Sequence, residues 1–405
     1  MDADVLIVGA GPAGAAASIL LARQGYKVLL VERATFPRDK ACAEYLSPAC
    51  TPLLAHLGVL DKILLTSPQR LQGMRIVDYH GQDCWGRFLQ HGEALEGLAL
   101  PRLLLDHLLV QQACQTGVEL RTGFWVRQPL VSGQYVCGVH GQQGTQSVTL
   151  RAHCVIAADG RLSTLARRLQ LVRRIKWLQH IALVTHYQGV HPVRPWGEMF
   201  LLPTGYLGLA PVGDNLMNVS LVTHKHHFRT AHPEAFFEAT LQSHAELRQR
   251  FAHATRVKGF LTVGPMAQRT VCPPYDGILF IGDAAGFLDP FTGQGIYLAL
   301  HSAHLAAITA HHALSHEDVS RQSLRQYYDA YHHAFRHKYR LSTLIQLGIR
   351  VPWVADRVIN RLARTPTLAD TIVGVTGDFL SPQEVLSWRF AMRLFFCSRR
   401  VLKRG

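Results

Sequence analysis

Gly9, Gly11, Gly14 and Glu32 stand at the spacing that binding a dinucleotide requires. In such a loop the first glycine makes the tight turn. The second lets backbone approach a pyrophosphate, and the third lets helix pack against strand. Pro12 and Ala13 fill the turn, and the apolar runs Val5–Val8 and Val28–Val31 flank an Ala/Leu-rich segment that reads as a helix. A helix N-terminus placed here offers free N–H groups and a positive dipole end to phosphate. Glu32, at the end of the second run, is placed to accept hydrogen bonds from an adenosine ribose. Glycine turns alone are common; strand, turn, helix, strand and acid in this order specify a dinucleotide site.

A second chemical segment, GILFIGDAAGFLDPFTGQGIYLAL, covers residues 277–300. A buried strand, Ile278–Ile281, ends at Gly282-Asp283, and a loop through Pro290 and Gly293 enters a helix near Gly295 and Ile296. Asp283 can bond ribityl or phosphate-borne groups, and the helix N-terminus stabilises negative charge on the N1/O2 edge of a reduced isoalloxazine. An aspartate after a strand is often only a helix cap. Paired with the N-terminal fingerprint, this segment selects FAD over NAD.

The two segments resemble those of flavoproteins with the p-hydroxybenzoate hydroxylase fold, a superfamily of aromatic monooxygenases, flavin halogenases and geranylgeranyl reductases. Two further matches lie between them: Asp159-Gly160 with Ser163, after the apolar run 155–158, and Pro101-Arg102 with Leu105-Asp106 at a helix start. The resemblance implies that Asp159, Gly160 and Arg102 contact FAD; Arg33 and Val126 complete the expected cofactor set. Ala166 replaces the arginine that usually follows Ser163, which weakens any pyridine-nucleotide role there. Residues 36–58 resemble the geranylgeranyl reductase branch, with Cys42 on the family cysteine, Ala43 in place of its glycine, and Glu44 retained. Cys42 is the one candidate catalytic residue. Tuning or shielding the flavin and simple packing both remain open, since free cysteine often behaves as a small hydrophobe. A reactive thiolate needs nearby cations; Arg38 and Lys40 are close in sequence.

The elements that must position these groups suggest an α/β (α+β overall) fold. A Rossmann-like FAD-binding lobe is expected from residues 1–70, 93–176 and 265–330, and a β-sheet substrate lobe from 71–92 and 177–264. Residues 331–405 form a C-terminal helical region. A hairpin is expected to turn at His80-Gly81, helices near 101–117 and 233–251, a strand at 255–263, and helix throughout 296–350. The substrate sheet should cover the flavin, with Trp196, Phe200, Tyr206 and Leu209 (alongside Met199, Leu201 and Val219) as candidate pocket residues. Their apolar character suits a hydrophobic small-molecule substrate such as a prenyl chain or polyketide. Ordinary core is the competing reading of such alternation.

Absences narrow the chemistry. There is no GxWxWxIP segment of the halogenase kind, no second glycine fingerprint for a nicotinamide domain, and no HExxH or paired CxxC. The histidine groups His224, His226, His227 and His332, His333, His337 read as solvated faces, so no metal is expected. Reducing equivalents would come from transient NAD(P)H or another electron-donor protein. Hydride transfer to or from a C=C bond is favoured over oxygen-dependent hydroxylation or epoxidation, with a non-catalytic electron carrier as a third reading.

The chain has 405 residues, net charge +14 and pI near 9.7. Eight scattered cysteines and no secretory signal point to a cytoplasmic protein. No run reaches the roughly 18 apolar residues of a spanning helix. The positive charge favours an anionic partner; with no nucleic-acid motif, nucleic acid is not expected. Residues 388–405, WRFAMRLFFCSRRVLKRG, suggest an anionic membrane surface at the inner face, met by an interfacial helix. A terminal helix docked on the FAD lobe with its basic end solvated is the alternative.

Overall fold

The near-continuous apolar runs at the N-terminus form a parallel sheet buried on both faces, as such runs do. A computed structural model describes residues 1–229 and 232–395. Strand Ala3–Val8 lies between Val28–Val31 and the long strand Gln146–Ala157, parallel to both. Strand Glu119–Arg121 extends one side, and Ile278–Phe280 pairs in parallel with the far half of Gln146–Ala157. The near half of that long strand pairs antiparallel with Tyr135–Gln143, which pairs in turn with Phe124–Ser132. One strand thus belongs to a parallel sheet at one end and to a three-stranded meander at the other. Helix Pro12–Arg23 packs on this sheet beside Gly295–Ser315, with Ala16, Ala17, Ala303 and Ala306 buried in the shared core.

The expected hairpin turns at His80-Gly81 and joins the second sheet. Its strand Gly73–Val77 pairs in parallel with Gly197–Leu202. From there the sheet continues through Gly205–Pro211, Leu216–His224 and His180–Gln188, all antiparallel. Strands from residues 73–87 and 180–263 therefore share one sheet, while Leu71 and Leu89–Gln90 belong to others. The expected helix at 233–251 is two helices, Pro233–Ser243 and Ala245–Arg250, because His244 between them is extended (φ −104°, ψ 126°). The expected strand at 255–263 is likewise two short pieces, Thr255–Arg256 and Leu261–Val263. Helix is interrupted between Ser315 and Arg321, and helix Arg321–Gly348 runs through position 331 without a break.

The C-terminal helices Pro352–Ala363 and Pro366–Thr376 pack on strand Asp83–Arg87 of the second sheet, and Trp388–Phe395 packs on Pro352–Ala363. Ile359, Leu362, Leu368, Ala369 and Phe390 share a core with Val184, Met199, Leu201 and Tyr206. Of the basic tail, residues 396–405, including Phe396, Arg399 and Arg400, lie outside the described residues.

Candidate functional site

Gly9 has φ +100°, and a Cβ on it would lie 2.5 Å from the Ala158 oxygen. Gly14 is tighter still: its Cβ would meet the Gly9 oxygen at 1.8 Å. These two glycines let the loop and helix close on strand Gln146–Ala157. Gly11 faces the other way, with only the Arg38 Nη2 near its Cβ position, at 3.8 Å. Gly11 is also the N-cap of its helix with no side-chain cap, so the first-turn N–H groups are left for a ligand. Glu32 closes the loop, with Oε2 accepting from Ala10 N (2.9 Å) and Oε1 from Ala34 N (3.0 Å).

A single cavity runs from this loop to the second sheet. It is lined by Gly11, Pro12, Ala13, Cys42, Arg102, Gly160, Asp283, Pro290, Gly293, Gly295 and Ile296 among the expected residues. Gly282 lies behind the wall: φ is +55°, and its N–H donates to Ser302 Oγ at 2.9 Å. Asp159 is also set back, accepting from Thr164 N (2.7 Å), while its buried Oδ1 has no protein partner. Two of the expected cofactor residues, Arg33 and Val126, do not line this cavity. Val126 packs in the core beneath the first sheet, because its inward face on strand Phe124–Ser132 meets Phe124, Val136 and Leu150 rather than the cavity. Arg33 is exposed, its guanidinium 5.7 Å from the Trp125 ring centroid.

The pocket face of the second sheet is likewise corrected. Tyr206 lines the cavity, with Met199, Val184, Gly208 and Val222 around it. Phe200 and Leu209 do not, since side chains alternate along a strand and theirs point to the opposite face, under Phe237, Leu241 and Leu247. Trp196 directly precedes strand Gly197–Leu202 and does not line the cavity, its ring edge-on to Trp85 at 5.0 Å.

Charge around the cavity is net positive. Arg102 holds Asp106 through Nε and Nη2, both at 2.8 Å, and Arg38 Nη1 stands 3.0 Å from Asp106 Oδ2. Sequence reasoning left Lys40 without a cofactor role and missed Arg161, yet both line the cavity, and the buried Arg161 Nε has no protein partner. Burial, and then the Arg102 and Arg38 charges, lower the Lys40 ammonium from its ordinary value. Burial raises the Asp283 carboxyl, while Lys40, Arg102 and Arg161 oppose the shift. Three cations facing one carboxylate, an open glycine turn and two uncapped helix starts fit a dianionic pyrophosphate attached to a flavin. The residues present fit FAD.

At the flavin-loop end, Asp289 gathers a polar group of its own. It accepts from the Tyr206 hydroxyl, from Phe291 N (3.0 Å) and from Gln346 Nε2 (2.6 Å), and its Oδ2 lies 2.8 Å from His180 Nδ1. Burial, and then Asp289, raise the Tyr206 phenol well above its ordinary value. The surface histidines His224 and His226 touch one another, and no group of three metal-ligating side chains occurs among the described residues.

Cys42 is half-buried in the cavity wall, its sulfur accepting from Glu44 N at 3.3 Å. Beside it stands a buried cluster that the sequence did not reveal: Glu44, His186, Asn218 and Ser220. Only the retained acid after Cys42 signalled it.

The sequence profile described as FAD binding domain matches residues 2–337. Over 393 residues the chain is 30% identical to digeranylgeranylglycerophospholipid reductase 2 of Methanopyrus kandleri, covering 93% of this chain and 94% of that protein. It is 26% identical to conditioned medium factor receptor 1 of Dictyostelium discoideum (92% and 76% covered). Identity is also 26% to a 1H-pyrrole-2-carbonyl peptidyl-carrier-protein chlorinase of Pseudomonas fluorescens (85% and 83% covered). A solved flavoprotein/dehydrogenase from Cytophaga hutchinsonii shares the fold with TM-score 0.82 at 22% identity, covering 93% of this chain and 92% of that one.

Proposed function

The chain belongs to the FAD binding domain family and is an FAD-dependent oxidoreductase, and on that premise we propose that it moves hydride to or from a C=C bond of a prenyl or other lipid-like substrate. When bound, FAD supplies the two-electron chemistry. The chain's own residues hold the cofactor, shape an apolar space and manage one proton. Gly11, Pro12, Ala13, Lys40, Arg102, Arg161 and Asp283, with the helix starts at Gly11 and Gly295, would hold the dinucleotide.

The observation that carries this reading is the contrast across the cavity. Its second-sheet wall is largely aliphatic, and Tyr206 is the phenol on it, tied to Asp289 and His180. An alkene offers nothing to hydrogen-bond, and its reduction needs a proton at the carbon that does not receive hydride. Tyr206, whose phenol proton lies on Asp289, would turn that proton to carbon and take its replacement from solvent by way of His180 and Asp289. The likeness to a lipid reductase supports the same reading.

The test is product mass. Anaerobic incubation of the FAD-loaded protein with a reductant and prenyl-lipid extract should give a product heavier by two hydrogens. A product that gains one oxygen, and forms only in air, would replace this reading with a monooxygenase. NADH, NADPH and a reduced ferredoxin-type protein, compared by the rate of flavin bleaching, identify the donor.

We further propose a peripheral site on anionic lipid. No helix among the described residues is long and apolar enough to cross a membrane. Helix Trp388–Phe395 docks through Phe390 and Leu394 and leaves Trp388, Met392 and Phe395 outward, with Arg389 and Arg393 between them.

A further inference from the structure

Glu44 has φ +58° and is 1% exposed, and its carboxylate is surrounded by donors from both lobes. Oε1 accepts from Arg102 N, at the start of a first-lobe helix, at 2.9 Å. Oε2 lies 2.6 Å from His186 Nε2 and accepts from Asn218 Nδ2 at 3.0 Å. His186 and Asn218 are direct cross-strand partners on the second sheet, and both are buried. Asn218 Nδ2 also donates to the Cys42 carbonyl at 2.9 Å, and Ser220 Oγ holds the Asn218 oxygen at 2.9 Å. The cavity wall at Cys42 is thus gripped from two directions. One is the Asn218 amide on its carbonyl, and the other is the Glu44 backbone N–H on its sulfur.

We propose that Glu44 and His186 are positioning residues, a buried pair that fastens the Cys42 loop of the flavin lobe to the second sheet and so sets where the Cys42 thiol meets the cavity. Nothing else in the chemistry above uses this pair, and a buried charged group without a partner is costly. Its value lies in joining residues 142 positions apart at the seam between the two lobes. The inference goes beyond the proposed reaction and does not depend on which substrate is reduced.

The experiment is site-resolved alkylation of the FAD-loaded full chain with iodoacetamide, each cysteine followed by peptide mass spectrometry. In His186→Leu, Cys42 should react about tenfold faster than in the parent, as expected when a local restraint is released. Cys50, Cys84 and Cys154, all buried, report global opening and should stay protected; exposed Cys114 and Cys272 should keep their rates. His186→Gln keeps an N–H donor toward Glu44 and should return Cys42 toward the parental rate. If His186→Leu does not fold, Asn218→Ala removes the second grip and should give the same selective rise. An unchanged Cys42 rate in a folded variant overturns the proposal, as does a rise shared by all the buried cysteines. Product mass is read separately on the parent protein, so loss of the proposed reaction and loss of this inference are distinct results.

Discussion

Gly11 and Gly14 stand three residues apart under opposite constraints. A Cβ on Gly14 would overlap the Gly9 oxygen, so Gly14→Val should abolish folding, seen as loss of soluble protein. A side chain on Gly11 meets open space, so Gly11→Val should fold with a near-parental melting temperature yet carry no flavin absorbance. At the other end of the cavity, Tyr206→Phe should keep FAD and lower turnover by roughly 10²-fold, the scale of a positioned proton donor. Asp289→Asn removes a negative charge beside the phenol and should lower its pKa, read by ultraviolet titration. The glycines and Asp283 were legible because backbone geometry and phosphate chemistry restrict residue type at fixed spacing. The pocket face was not. Alternation shows that Phe200 and Leu209 oppose Met199 and Gly208, but not which set lines the cavity. Glu44–His186 was invisible for a different reason, being a contact made by folding across 142 residues.

Elements depend on a few close approaches and one dense ion cluster. Helix Pro366–Thr376 lies on strand Asp83–Arg87 because Gly86 has no side chain; a Cβ would sit 2.6 Å from the Ala369 oxygen. Gly86→Ala should destabilise by about 1–3 kcal/mol, an overpacking cost, measured by urea unfolding. Helix Ala245–Arg250 is joined to the sheet by Arg75, whose guanidinium reaches Glu246 at 2.6 Å and Glu198 at 2.9 Å. Burial works to raise the Glu246 carboxyl, but hydrogen bonds and charge from Arg75 outweigh it and hold it below 4.5. A carboxyl depressed by folding stabilises above its unfolded pKa and loses that contribution as pH falls through the folded one. Unfolding midpoints should therefore fall as pH drops below about 4.5, and Glu246→Gln should flatten that slope. The hairpin and the 101–117 helix were readable from periodicity. The break at His244 was not, because no Pro or Gly marks it.

The molecule's surface carries its own expectation. Trp388 and Trp353 are 72% and 69% exposed, with Leu344 and Leu347 also outward on the same C-terminal helical region. Vesicles containing anionic lipid should co-sediment the protein at low salt and release it at high salt. Trp388→Glu should weaken that binding without changing flavin content. The cavity has a different whole-chain property: its walls come from Gly11, Cys42, Arg102, Gly160, Met199, Asp283 and Ala299 of 405 residues. A ribosome making this protein exposes the glycine fingerprint well before Ala299, the last wall residue in chain order. The cavity is therefore complete only once the chain through Ala299 has emerged. Until then both apolar lobes stand open to chaperones, and a prematurely terminated product would carry the nucleotide signature with nothing to close over it.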